Sequence, residues 1–299
     1  MASLRDIKSK IKGVKKTRQI TRAMNMVSAA KLRGVQTRTL RFRPYAEKFA
    51  DVLARLSQGV RSDSHPLLTQ AEDVKTVALI LITSERGMCG AFNSNLINMA
   101  NRFIRDMEAP GKKVRIYAVG RKGRDYFANR RPADFVNGLT GDLGSIKFEE
   151  VIAVAELALR DFLEHQVEEA YMIYSRFNSM SSQVPTVEKI LPITPPVVEE
   201  KEVEEEEKAK ALSGDYIIEP SAETLVGEIL PRYLNVRIYR ALLETATGEH
   251  AARMVAMDNA TRNCSEIIQN LTIMYNKARQ AAITTELIDI VSGADAVKN

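Results

Sequence analysis

Two stretches, near the two ends of this chain, hold almost nothing that would break a helix. Residues 3–58 contain one proline, Pro44, and two glycines, Gly13 and Gly34. Residues 221–292 contain Pro231, Gly227 and Gly248, and then no breaker before Gly293. Globular helices usually run about 8–20 residues, and a periodic pattern much beyond about 25 points to a coiled coil. At about 1.5 Å per residue the second stretch reaches roughly 100 Å, too long for one small core. The pattern predicts a rod with a compact body set between its two arms. Rods span distances, transmit force or join partners.

Periodicity predicts how the arms meet. In the first, Leu4, Ile7, Ile11 and Val14 step by three and four, and the rhythm continues to Thr21, Ser28, Leu32 and Val35. In the second, Met254, Met257, Thr261, Cys264, Ile268, Leu271, Tyr275, Ala278 and Ala282 do the same. A seven-residue repeat of this kind imposes a left-handed supercoil. Two such helices joined at one end by an inserted domain pair antiparallel. The fold class expected is therefore α plus α/β: a long antiparallel coiled coil of N- and C-terminal helices with an inserted Rossmann-like α/β domain. Thr, Ser, Cys and Ala make the seam a weak zipper, so the pair is expected to be held partly by something around it.

Charge is distributed unevenly. Residues 1–43 carry thirteen Lys or Arg and a single acid, Asp6. A solvated helix face, a stripe for nucleic acid and a surface for an acidic protein all fit such a run. No interleaved aromatic motif, zinc-finger spacing or basic-zipper geometry supports nucleic acid. The opposite extreme is EEKEVEEEE at 199–207, just after the Pro-rich ILPITPPVVEE. Like-charge blocks are usually solvated, so 194–220 is read as an acidic linker or loop. No run of 18 or more apolar residues exists, so no membrane span is expected. The opening MASLRDIKSKIKG lacks a signal-peptide core, and its basic amphipathic pattern runs far past presequence length. Two widely separated cysteines, Cys89 and Cys264, suggest a reducing compartment rather than a disulfide framework.

Between the arms, strand and helix signals alternate. Strands are expected at 74–83, 113–120, 133–139 and 167–177, with an edge strand at 181–193 because Pro185 suits an edge. Helices are expected at 94–107, 121–130 and 145–166. Alternation of this kind gives a mainly parallel sheet covered by helices. The domains expected are 1–60, 74–193, 194–220 and 221–299.

Chemical motifs are sparse. TSERGMCGAFNSN (83–95) follows the first strand, yet Gly87 and Gly90 match neither the dinucleotide nor the phosphate-loop spacing. A tight turn with glycine at positive φ is the favoured reading. Cys89 has no nearby histidine, since the three are His65, His165 and His250. Neither catalytic residues, nor cofactor, nor metal ligands are expected.

Three segments then carry a resemblance. RDIKSKIKGVKKTRQITRAMNMVSAAKLR (5–33), TSERGMCGAFNSNL (83–96) and EHAARMVAMDNATRNCSEIIQNLTIMYNKARQAAITTELIDIVSGADA (249–296) resemble, in order, the gamma subunit of F-type ATP synthases. The resemblance implies a non-catalytic central rotor shaft coupling ion flow through a c-subunit ring to nucleotide chemistry on alpha and beta subunits. It implies an alpha and beta hexameric ring, an epsilon subunit and the c ring as partners. It implies the cytoplasmic face of a bacterial inner membrane as location, peripherally held. Met24, in ITRAMNMV, is similar to a position near the beta levers, with Arg253 matching in AARMVAM. Gln280, Thr284 and Glu286 match in ARQAAITTEL, and Tyr216 and Glu219, in DYIIEP, match a position that touches the c ring. Pairing residue 58 with about 221 puts Met24 beside residue 255. The second helix is expected to outrun the first, leaving 278–297 alone in a bearing. The Glu-rich 199–207 departs from the family pattern. The cysteine pair of plastid members is missing, since no cysteine lies between 90 and 263. Two other classes stay open: a nucleotide-binding α/β protein with helical extensions, and a basic coiled-coil protein that binds nucleic acid.

Overall fold

The computed structural model describes residues 3–57, 65–137, 139–195 and 222–298. Helix α1 spans Leu4–Ser57 with Pro44 inside it. Its start is a capping box: Asp6 N donates to Ser3 Oγ and Ser3 N donates to Asp6 Oδ2, each at 3.2 Å. Then follow β1 (Thr76–Ile82), α2 (Phe92–Glu108), β2 (Lys113–Val119), α3 (Arg121–Arg130) and β3 (Phe135–Asn137). A 3-10 turn (Leu143–Ser145) leads to α4 (Phe148–Leu163), β4 (Glu169–Phe177) and β5 (Gln183–Leu191), and α5 runs Ala222–Lys298. Each expected strand and helix of the middle region is present. The Glu-rich stretch and most of the expected linker at 194–220 lie outside the described residues.

Packing divides the chain into two units, Lys31–Ala252 and 1–30 with 253–299. Both long helices contribute to both, so packing divides the chain within the helices rather than at their ends.

In the α/β unit the sheet order is β3-β2-β1-β4-β5. The first four strands run parallel and β5 pairs antiparallel with β4, placing Pro185 on an edge. Val77, Leu79 and Leu81 face a core with Phe92, Leu96, Phe103 and Ile104 of α2 and Phe127 of α3. Ala78, Ile80 and Ile82 face the opposite way, onto α4, the latter part of α1 and the first part of α5. Burial on both faces explains why β1 reads as an unbroken apolar run. Leu53 and Leu56 of α1, and Leu230, Leu234 and Leu242 of α5, belong to that second core. Burying each large apolar side chain is worth about 1.5–3 kcal/mol, so neither helix can leave the sheet cheaply. Lys31 pairs with Asp142, and Arg38 donates to Gly144 O, tying α1 to the turn before α4.

Helix α5 passes close to the carboxyl end of β4. Ser175 N donates to Thr245 Oγ1 at 3.2 Å. One turn on, a Cβ at Gly248 would lie 3.1 Å from the Phe92 ring, 3.2 Å from Ser175 Oγ and 3.3 Å from the Gln183 side chain. Charge fixes the same helix to the edge strand. Arg237 Nη2 donates to Glu188 Oε1 at 2.7 Å and to Lys189 O at 2.7 Å, and Arg240 Nη2 reaches Glu188 Oε2 at 3.3 Å.

In the other unit α1 and α5 lie antiparallel. Thr21 Oγ1 and Thr261 Oγ1 are 2.8 Å apart, and Asn25 Nδ2 donates to Met254 O at 2.8 Å. On α1 Leu4, Ile7, Ile11, Val14, Arg18, Thr21, Asn25 and Ser28, at alternating steps of three and four, are buried or half-buried, as are Met24 and Ala29 beside them. On α5 Met254, Met257, Thr261, Cys264, Ile268, Leu271, Tyr275, Ala278 and Ala282 are buried or half-buried, as are Arg253, Val255, Ala256, Asp258 and Ala260. Every position expected in the seam is buried or half-buried, and Arg18 and Asn25 complete it.

Two stability measurements check this packing. Alanine at position 248 gains about 1 kcal/mol of helix propensity, which offsets its tight contacts, so Gly248→Ala should stay near the parent in urea unfolding. Gly248→Leu forces a branched side chain into the same gap and should cost about 1–3 kcal/mol. A leucine variant as stable as the parent would mean that α5 does not pass so close. The second measurement concerns Glu188. Burial pushes its carboxyl up, but the charges of Arg237 and Arg240 and the Arg237 hydrogen bond outweigh that and hold it below its ordinary 4.5. A depressed folded pKa adds stability above the unfolded value that is lost as pH falls through the folded one. The stability gap between the parent and Glu188→Gln should be full above pH 4.5 and close on acidification below it.

Candidate functional site

The motif after β1 folds as a closed turn. Ser84 N donates to Asn93 Oδ1 at 3.0 Å, and Asn93 Nδ2 donates to Ser84 Oγ at 2.7 Å and to Cys89 Sγ at 3.2 Å. Met88 and Gly90 take left-handed φ values of 61° and 60°, so the glycine serves the turn as expected. Cys89 is buried. The neighbouring turn, between β2 and α3, packs directly against it. Gly120 has φ 90°, and a Cβ there would lie 2.0 Å from Thr83 O, so only glycine fits. Gly123 N donates to Thr83 Oγ1 at 2.8 Å.

In an open α/β sheet, ligands enter the crevice outside the carboxyl ends of the strands, where the strand order reverses. Here that place lies between β1 and β4. Thr245 and Gly248 of α5, with Phe92, occupy it. The crevice where an open α/β sheet takes its ligand is here packed by the chain's own helix. Among the described residues no group of three His, Cys, Asp or Glu side chains could hold a metal ion. Among them, too, no helix is long and apolar enough to cross a membrane.

The α1–α5 pair has a surface of a different kind. Lys8, Lys12, Lys15, Lys16 and Arg22 are exposed, and among the described residues none of them has an ion-pair partner. Large apolar side chains stand among them: Ile20, Met26 and Val27 on α1, and Ile267, Ile273 and Met274 on α5. From Ile283 to Ser292 every residue of α5 is exposed, including Ile283, Leu287, Ile288, Ile290 and Val291. Contiguous exposed apolar surface of this sort marks a face that another protein covers. Sequence reasoning passed over Ile20, Met26, Val27, Ile267, Ile273 and Met274, whereas the exposed end of α5 lies within the stretch expected to stand alone. The signal was present, because Ile20 and Val27 recur at seven residues, as do Ile267 and Met274, each beside the seam.

The residues singled out from the sequence are placed unevenly. Met24 is half-buried, and its carbonyl accepts from Ser28 Oγ at 2.8 Å. The two interhelical hydrogen bonds put Met24 opposite the stretch from Val255 to Asp258, as counting along the helices had suggested. Arg253 lies near that stretch but is 8% exposed, which simple counting had not indicated. Gln280, Thr284 and Glu286 are exposed. The Thr284 hydroxyl donates back to Gln280 O at 2.9 Å, within its own helix. Ala278 and Ala282 are half-buried, and from Ile283 to Ser292 every residue is exposed, within the stretch expected to stand alone. Tyr216 and Glu219 lie outside the described residues.

Known proteins share this arrangement. A family model described as ATP synthase matches residues 3–297. The ATP synthase gamma chain of Syntrophobacter fumaroxidans is 51% identical over 299 residues, covering all of both chains. That of Nitratidesulfovibrio vulgaris, strain Miyazaki F, is 48% identical over 298 residues, again covering all of both. Among solved structures, a chain of the Euglena gracilis mitochondrial ATP synthase, from a complex of OSCP, F1 and c-ring, superposes with a TM-score of 0.67 at 21% identity. It covers 98% of this chain and 94% of that one. A chain from the central stalk and c-ring of the Tetrahymena thermophila enzyme gives 0.58 at 22% identity, covering 81% and 99%. Those two likenesses show the fold, and the full-length sequence relatives show the family: this chain belongs to the ATP synthase gamma chains.

Proposed function

We propose that this chain is the central rotor shaft of an F1Fo ATP synthase, a non-catalytic subunit that links rotation of a c-subunit ring to ATP synthesis or hydrolysis on a surrounding ring of alpha and beta subunits. The observation that carries the reading is the surface of the α1–α5 pair, whose lysines lack ion-pair partners among the described residues and whose apolar side chains stand uncovered. A surrounding collar supplies both a cover for Ile20, Val27, Ile288 and Ile290 and acidic groups for Lys8, Lys12, Lys15 and Lys16. Exposed ion pairs are each worth only about 0.2–1 kcal/mol. That weakness suits a moving contact, since pairs must break and form again as the shaft turns. Met24, Arg253, Gln280, Thr284 and Glu286 face the alpha and beta ring in this reading. Tyr216 and Glu219 face the c ring, and epsilon binds the α/β unit. The complex holds the chain at the cytoplasmic face of a bacterial inner membrane. The filled crevice beside β4 weighs against a nucleotide-binding protein, and the relatives' shared name weighs against a nucleic-acid binder.

Reconstitution tests this. The purified chain should hydrolyse no ATP by itself, and rotation-coupled hydrolysis should appear once alpha and beta are added. Steady turnover by the chain alone, or full coupling in a complex lacking it, would overturn the reading. The charge argument has its own test. Replacing Lys8, Lys12, Lys15 and Lys16 together by Gln should weaken assembly or coupling, whereas any single replacement should do little. A quadruple variant that couples normally at low and high salt would make this face a merely solvated one.

A further inference from the structure

We infer that the Glu-rich segment 199–207 docks on a cluster of arginines and lysines of its own α/β unit, at the amino-terminal end of the sheet. Between residues 102 and 131 the chain carries ten Lys or Arg against three acids, Asp106, Glu108 and Asp125. Some of these cations are matched. Arg131 pairs with Glu108 and Asp134, Arg124 with Asp125, Arg121 with Glu85 and Arg115 with Asp161. Arg102, Arg105, Lys112, Lys113 and Arg130 have no ion-pair partner among the described residues. Topology gathers these five. Helix α2 runs back against the parallel strands, so Arg102 and Arg105 stand beside the strand starts, where the Phe103 ring lies 5.0 Å from that of Tyr171 in β4. Lys113 opens β2, and its N donates to Lys75 O at 2.8 Å, just ahead of β1. Arg130 closes α3 with its guanidinium 4.1 Å from the Tyr126 ring centroid, and Asn101 Nδ2 of α2 donates to the Tyr126 hydroxyl at 3.0 Å. Asp106 offsets one of the five. Like charges held this close repel, and an anionic cover relieves that repulsion.

The Glu-rich segment leaves from the same end of the sheet. Strand β5 finishes at Leu191 opposite Ala170, near the start of β4. Ile193 N then donates to Leu67 O at 2.7 Å, and the nearby His65 ring would lie 3.7 Å from a Cβ at Gly227, early in α5. Both flanks of 196–221, which lies outside the described residues, are thus at the amino-terminal end. From residue 195 the chain can span about 30 Å to Glu204, and from Glu207 about 50 Å to residue 222. Crossing from β5 to β3 takes four strand spacings, about 19 Å. Glu204 to Glu207 can therefore reach the cluster, and 199–207 brings seven Glu and one Lys to it. Exposed ion pairs are individually weak, but a segment tethered at both ends meets its site at a high effective concentration. The inference needs only charge, topology and chain length, and stands whether or not the chain is a rotor shaft.

Carbodiimide coupling of the full-length chain tests this, because the reagent joins a lysine amine to a carboxylate in contact with it. At low salt Lys112 and Lys113 should couple to glutamates of 199–207, read as cross-linked peptides by mass spectrometry. The yield should collapse in 1 M salt, where the screening length is about 3 Å. Arg102→Glu/Arg105→Glu should lose these products. Adding Glu204→Lys/Glu205→Lys should restore the link between segment and α2 with the charges exchanged. No coupling to 199–207, a yield indifferent to salt or to the reversal, or coupling in the assembled complex to a second subunit alone overturns the inference. Should the reversed variants fail to fold, Glu204→Gln/Glu205→Gln/Glu206→Gln/Glu207→Gln carries the comparison in the parent. Acetylation of Lys112 and Lys113 should then quicken relative to that of Lys75, and unchanged relative rates overturn the inference equally.

Discussion

The stripe that runs along α1 at steps of three and four, from Leu4 to Leu56, is the feature on which the other parts depend. Over its first half the stripe is buried against α5. Over its second half Leu53 and Leu56 enter the core beneath the sheet, with Leu230, Leu234 and Leu242 of α5. One helix thus serves two kinds of packing without a break in its rhythm. Among the described residues that face of the sheet is covered by α4, Leu67 and Leu68, and both terminal helices, so the α/β unit needs those helices to close its core. Its stability cannot be separated from theirs.

The chemistry of the stripe changes along its length. Beneath the sheet it is built of Leu, Val and Phe. In the paired region Thr21, Asn25 and Ser28 stand in it beside Leu4, Ile7, Ile11 and Val14, and α5 contributes Thr261, Cys264 and Ala278 beside Ile268 and Leu271. Small and polar seam residues bring the helices together with less buried apolar area, and so with less stabilisation of their own. The outward faces of the same region carry Ile20, Val27 and Met274 exposed. The pair thus carries apolar groups on its outside as well as in its seam. That distribution suits a pair whose fit depends on its surroundings.

The α/β unit retains the order of a nucleotide-binding sheet while its crevice holds a helix. Gly248 permits the approach, Thr245 supplies the acceptor for Ser175 N, and Gly120 and Gly123 seal the adjoining turns against Thr83. A layout that would bind a ligand elsewhere serves here to seat α5. The paired charges of Glu188, Arg237 and Arg240 fix the same helix at the sheet's edge. Fold and function separate at this point, as they do when one architecture hosts unrelated sites.

Local pattern determined a good deal. The long helices, the seam residues, the alternation of strands and helices, Pro185 at an edge and the glycine turn at Gly90 were all legible. Each follows from periodicity or from a backbone preference acting over a few residues. Three matters were decided only by tertiary structure. Thr245 and Gly248 lie inside the expected long helix with no role of their own until β4 and α2 are folded against them. Arg253 was named as a partner contact by resemblance, with nothing in the spacing to show that packing buries it. The division between the two units falls inside both helices, where no composition changes. In each case the deciding contact joins residues far apart in the chain, and spacing along a helix says which face a side chain lies on but not what will be packed against that face.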